Sequence, residues 1–259
     1  LTGTYSAVDF VRVASVALWR LRRDPAFAPL QLLSGSWRPR AQALKELLAL
    51  GIPVGGSYLF EVSAFTLMAV FIARFGATVL GAHQIVANFE TIVYMVPLAI
   101  ALAAQTLVAQ TLGAGDEASA RKLGLRILAG VALLHGGLAL LLVCAPEWVL
   151  HAYGAPDAVA ATARGLLRWI AVYQFFDALQ LVCAFLLRAY KKAFVPMVVH
   201  GAALWAIGLG TGWLLGFGKL GPLPAPFTQA AGFWAAGTAG IGLAAATLLG
   251  YWLRVSRLR

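Results

Sequence analysis

Two carboxylates occupy positions where a carboxylate is hard to keep. Glu61 lies near the middle of the apolar run 51–73, and Asp177 near the middle of the run 169–187. Each run is long enough to cross a bilayer, and a charge at that depth costs roughly 2.5 to 3.5 kcal/mol on insertion scales. Each acid therefore requires a partner, a proton or a function. Residues three and four apart share a helix face, so Asp177 stands with Tyr173, Gln174 and Gln180, and Glu61 with Ser57, Tyr58 and Phe65. Carboxylates ringed by hydroxyl and amide groups suit a hard cation such as Na+, which prefers oxygen ligands. They suit a proton equally, since a desolvated carboxyl holds one readily. The spacing disfavours a local salt bridge: Arg74 is near the far end of Glu61's run, and Arg168 and Arg188 are two to three turns from Asp177.

The run 83–109 adds a third acid, Glu90, on one face with His83 and Tyr94, near the outer end and within reach of solvent. Gln84, Asn88 and Thr91 form a separate polar row, which either lines a cavity or bonds neighbouring helices together. Gln84, Asn88, Glu90 and Gln180 are the candidates for a substrate cavity. Pro97 is expected to bend this helix. His135 and His200 stand alone in different runs, so no metal centre is expected from them. Cys144 and Cys183 have no ligand spacing and read as small buried hydrophobes. HExxH, GxSxG and paired-aspartate protease motifs are absent, which argues against an enzyme.

The elements that must position these groups are membrane helices. Apolar residues make up 61% of the 259 residues and charged ones 12%, where soluble domains carry about 45 to 50% and about 25%. Six runs are long enough to span: 51–73, 83–109, 123–145, 167–187, 194–217 and 230–253. The fold class is all-α, a polytopic six-helix bundle. Residues 1–19 read as the tail of a preceding span, with Asp9 and Arg12 on one face, and the start at Leu1 reads as a fragment of a longer chain. Residues 20–50 read as a basic, proline-broken loop followed by a short interfacial helix over 41–50. Residues 51–259 form the bundle itself.

Charge placement gives the orientation. With both ends of the six-span block facing the cytoplasm, 15 of the 20 Lys and Arg residues fall on that side. The net charge of +10 is thereby a topological signal, and no basic face for nucleic acid remains. Trp148, Trp169, Trp205, Trp213, Trp234 and Trp252 fall mostly near span ends, where interfacial belts are expected.

Four motifs then carry a family resemblance. Gly51-Ile-Pro-Val-Gly-Gly-Ser-Tyr-Leu-Phe-Glu61 is similar to the start of the seventh helix of NorM-type multidrug and toxic compound extrusion (MATE) transporters. The stretch from Ala82 through Asn88 and Tyr94 to Pro97 resembles their eighth helix, and Gln110 to Asp116 the loop after it. Tyr173 to Gln180, continuing to Lys191 and Met197, resembles the tenth helix and its cytoplasmic end. Glu90 departs from the small hydroxyl residue many relatives carry, and Lys192 from a commonly acidic position.

The resemblance implies the C-terminal half of a twelve-helix antiporter in a bacterial inner membrane, working beside an N-terminal six-helix bundle. It implies that Glu61 and Asp177, helped by Tyr173, bind the coupling ion, Na+ or H+, and that organic cations and drugs are exported in exchange. No cofactor is implied beyond that ion; the partners are the lipid bilayer, cationic drugs and the other bundle. The alternative is a truncated, transport-inactive remnant, or a structural half that needs a separate N-terminal bundle.

Overall fold

A chain this apolar has no water in which to satisfy its backbone, so its N–H and C=O groups must pair within each segment, and helices result. The computed structural model describes residues 7–23 and 40–257. The expected loop over 24–39 lies outside them, as does the side chain of Asp9. Two units divide the chain, Leu1–Glu46 and Leu47–Arg259. The first holds α1 (Ala7–Arg23), longer at its end than the tail expected over 1–19, with the Arg23 guanidinium over the Trp19 ring.

In the second unit the helices are α2 (Ala41–Ile72, entering from the first unit), α3 (Ala77–Gly113), α4 (Glu117–Cys144), α5 (Glu147–Ala152), α6 (Asp157–Ala189), α7 (Phe194–Gly201), α8 (Gly212–Gly216) and α9 (Gln229–Val255). Among the described residues six helical stretches are long and apolar enough to cross a membrane, and they coincide with the six expected runs. The chain is a multi-pass helical membrane protein. Residues 41–50, expected as a separate interfacial helix, are instead the first turns of α2, which continues through Pro53 without a break. Likewise α3 passes through the buried Pro97.

The helices are not equivalent. In α6, 78% of the most apolar stretch is buried, and in α9 61%, against 22% in α2. α6 is the central post, packed on α3, α4 and α9. It ends at a turn in which Lys191 adopts a left-handed backbone (φ 58), with Lys191 N–H donating to Arg188 O and Lys192 N–H to Leu187 O. α7 leads into a π-helical stretch, Ala202–Thr211, and then α8, so the fifth span is an α–π–α composite. Glycines set its closeness to α9. A Cβ at Gly212 or Gly216 would collide with Phe233, one at Gly232 with the backbone of Phe227 and Gly216, and one at Gly240 with the Ala203 carbonyl. Small residues at such a seam let backbones approach where the lipid offers no hydrophobic drive.

At the helix ends, Asp116 caps α4 by accepting from Ser119 N–H, and that bond holds its carboxyl below the usual range. Glu147 on α5 is held low by hydrogen bonds from the Arg164 guanidinium.

Candidate functional site

On α6, Tyr173, Gln174, Asp177 and Gln180 are all buried. Tyr173 is caged edge-on by Phe65 of α2, with centroids 6.4 Å apart, and by Trp234 of α9, at 5.5 Å. Asp177, 6% exposed, stands one turn before Gln180 on α6 and lies within the electrostatic reach of Glu61 on α2 and of His200. Glu61 is half-buried, its Oε2 3.8 Å from His200 Nε2. Glu90 of α3 is buried and feels both other carboxylates. The fields of all three acids reach Tyr94 and Tyr173. Three carboxylates from three helices therefore share one region in the interior of the bundle. Among the described residues no three His, Cys, Asp or Glu side chains close into a metal-ligating group, so any cation here is coordinated in part by other oxygen donors.

Several placements differ from expectation. Glu90 is buried rather than solvated, because α3 starts at Ala77 and carries it about 20 Å along the axis from that end. His200 is not alone: α7 points it at Glu61. Nor is His135, whose Nδ1 meets Gln174 Oε1 while Gln174 Nε2 donates to the His135 carbonyl at 3.0 Å. Gln174 is thereby committed to α4 rather than to Asp177. Trp234 and Trp252 are fully buried instead of interfacial, and Cys144 is exposed while Cys183 is buried, both as free thiols.

The four cavity candidates divide. Gln180 is buried beside Asp177, and Glu90 beside the carboxylates. Gln84 and Asn88 lie on an exposed face of α3, where Asn88 Oδ1 accepts from the Tyr153 hydroxyl at 2.7 Å. Thr91, third of that row, donates to the Ala87 carbonyl one turn back.

Two residues that sequence reasoning set aside belong here. His200 gave no signal, because its approach depends on the rotation of α7 against α2. Arg188 gave one: it lies eleven residues, about three turns, beyond Asp177 and so on the same face. It lines a narrow recess with Tyr58, Glu61, Tyr94, Gln180 and His200.

A family model described as MatE matches residues 53–214, well over half of the chain and all the carboxylates just described. The chain belongs to the MatE family. Its relatives include a probable multidrug resistance protein NorM of Aromatoleum aromaticum, 41% identical over 238 residues that cover 91% of this chain and 50% of the relative. The multidrug resistance protein NorM of Vibrio cholerae is 32% identical over 262 residues, covering 97% of this chain and 55% of that protein. The MatE chain thus spans about half the length of the curated relatives it matches.

Among solved structures, a MATE transporter in a bent conformation superposes with a TM-score of 0.83 over 97% of this chain and 54% of the other, at 14% identity. The Vibrio cholerae MATE transporter VcmN, in its bent form, gives 0.73 over 82% of this chain and 47% of the other, at 18% identity. Both share the fold. Members of this family are transporters, and the chain is not an enzyme.

Proposed function

We propose that this MatE chain is the ion-coupled half of a secondary multidrug antiporter that exports organic cations in exchange for Na+ or H+. The observation that carries the proposal is the meeting of Glu61, Asp177 and Glu90 in the bundle interior. Among the described residues, no Lys or Arg lies within ion-pair distance of any of the three. Negative charge gathered at membrane depth, with a histidine as the one basic side chain within ion-pair distance among the described residues, is a site for a cation or a proton.

In this reading the coupling ion sits between Glu61 and Asp177, with the Tyr173 hydroxyl and the Gln180 amide as further polar neighbours. Occupancy neutralises the repulsion between α2 and α6, shifts the balance between inward- and outward-open states and weakens substrate binding by linkage. Gln84 and Asn88, on the exposed face of α3, are available to a cleft shared with an N-terminal bundle. Both ends of the six-span block face the cytoplasm of a bacterial inner membrane, as the distribution of Lys and Arg supports.

The test is ion-driven dye efflux from cells expressing the full reading frame. Glu61→Gln and Asp177→Asn are each expected to lower efflux by at least about tenfold, equivalent to roughly 1.4 kcal/mol of lost coupling. Unchanged efflux in both variants, at equal membrane abundance, rejects the proposal.

A further inference from the structure

Arg188 has the position of a topological surface charge and the surroundings of an internal one. It lies in the last turn of α6, yet it is turned into the recess that holds Glu61. Its guanidinium stacks over the Phe185 ring, 4.3 Å from the centroid, and shares the lining of the recess with Tyr58 of α2. The charge also acts on Glu61 and on Tyr94 of α3. Side chains of three helices thus surround one guanidinium, whose planar face suits the ring below it.

The order of groups along the recess is set by the helices. On α6, Gln180, Ala184 and Arg188 line the recess over about 12 Å, and the buried Asp177 stands one turn before Gln180. On α2, Tyr58 precedes Glu61 by one turn. Glu61 therefore lies at the inner end, and Arg188 with Tyr58 at the end where α6 stops.

We propose that Arg188 is a fixed-charge plug for the cation site, closing the recess at the end of α6 against passage of the ion. The inference rests on the assignment of Glu61 and Asp177 as the ion site and adds a second element to it. A guanidinium never loses its proton under working conditions, so the barrier it raises does not depend on pH. A hydrated cation leaving Glu61 in that direction must move Arg188 off Phe185 and Tyr58. Its positive charge also opposes the ion at Glu61, so the plug weakens cation binding while preventing leak.

The experiment uses the full-length protein, purified for 22Na+ binding and reconstituted in liposomes for downhill 22Na+ and proton flux without any organic substrate. Arg188→Gln is expected to tighten cation affinity roughly fivefold, from the lost charge repulsion, and to raise the leak severalfold. Arg188→Lys keeps the charge without the fork and is expected to fall between Gln and Arg on both readouts. A residue that only stabilises the fold would not tighten binding when removed. Unchanged affinity and leak in Arg188→Gln overturn the inference. Should that variant fail to fold, Tyr58→Phe removes the hydroxyl that shares the recess with Arg188, and an unchanged leak in it overturns the inference as well. Glu61→Gln, run in parallel, separates the two claims. Undiminished cation binding there refutes the ion site itself, whatever Arg188 does.

Discussion

Carboxylates that share one field cannot all be ionised cheaply, and Glu90 is the one whose part is least obvious. It sits on α3, away from the Glu61 and Asp177 pair along the chain but within reach of both charges. Glu90→Gln is expected to lower ion-driven efflux by at least about tenfold, roughly 1.4 kcal/mol, with Thr91→Val on the exposed side of the same helix within twofold of the parent. Equal efflux in the two variants would remove Glu90 from the site. Glu61 and Asp177 are legible from the sequence because apolar neighbours on both sides fix the depth of a residue within a span. The depth of Glu90 is not, since the apolar run starts at His83 whereas the helix begins at Ala77. His200 is illegible for a different reason. Whether two helices turn those faces toward each other depends on azimuths that a one-dimensional pattern does not contain, and the 3.8 Å approach to Glu61 is set by them.

At the level of elements, the six spans are readable to within a few residues, except that α2, α3, α4 and α6 start six to ten residues before their apolar cores. The π-helical stretch Ala202–Thr211 is not readable, because its glycines and alanines are equally at home in an ordinary membrane helix. What distinguishes it is its contact with α9, and that contact is testable. Gly240→Val places a Cβ against the Ala203 carbonyl, backbone that has little freedom to retreat. It is expected to cost about 1 to 3 kcal/mol and to lower the thermal midpoint of the purified protein, followed by loss of monodispersity on heating. Gly250→Ala, on the same helix with open space around it, is expected to leave the midpoint unchanged or raise it. A Gly240→Val midpoint equal to the parent would mean the seam between α9 and the π-helical stretch is looser than it stands.

For the whole molecule, orientation is the property that decides which side of the membrane each connection faces. With Cys144→Ser and Cys183→Ala as background, Lys219→Cys, in the connection between α8 and α9, is expected to react with an impermeant maleimide added outside intact cells. Lys192→Cys, after α6, is expected to react only once the membrane is permeabilised, and the reverse pattern would invert the topology. The two sides of the ion site also differ in how firmly they are held. Asp177 stands on the most enclosed helix of the bundle, while Glu61 rides on α2, one of the least enclosed. On the proposed function, a bound ion would act as a removable clasp between a fixed post and a peripheral helix. Its arrival and departure would then change the tension on one side of the bundle, which is where a chemical gradient could be made to do mechanical work.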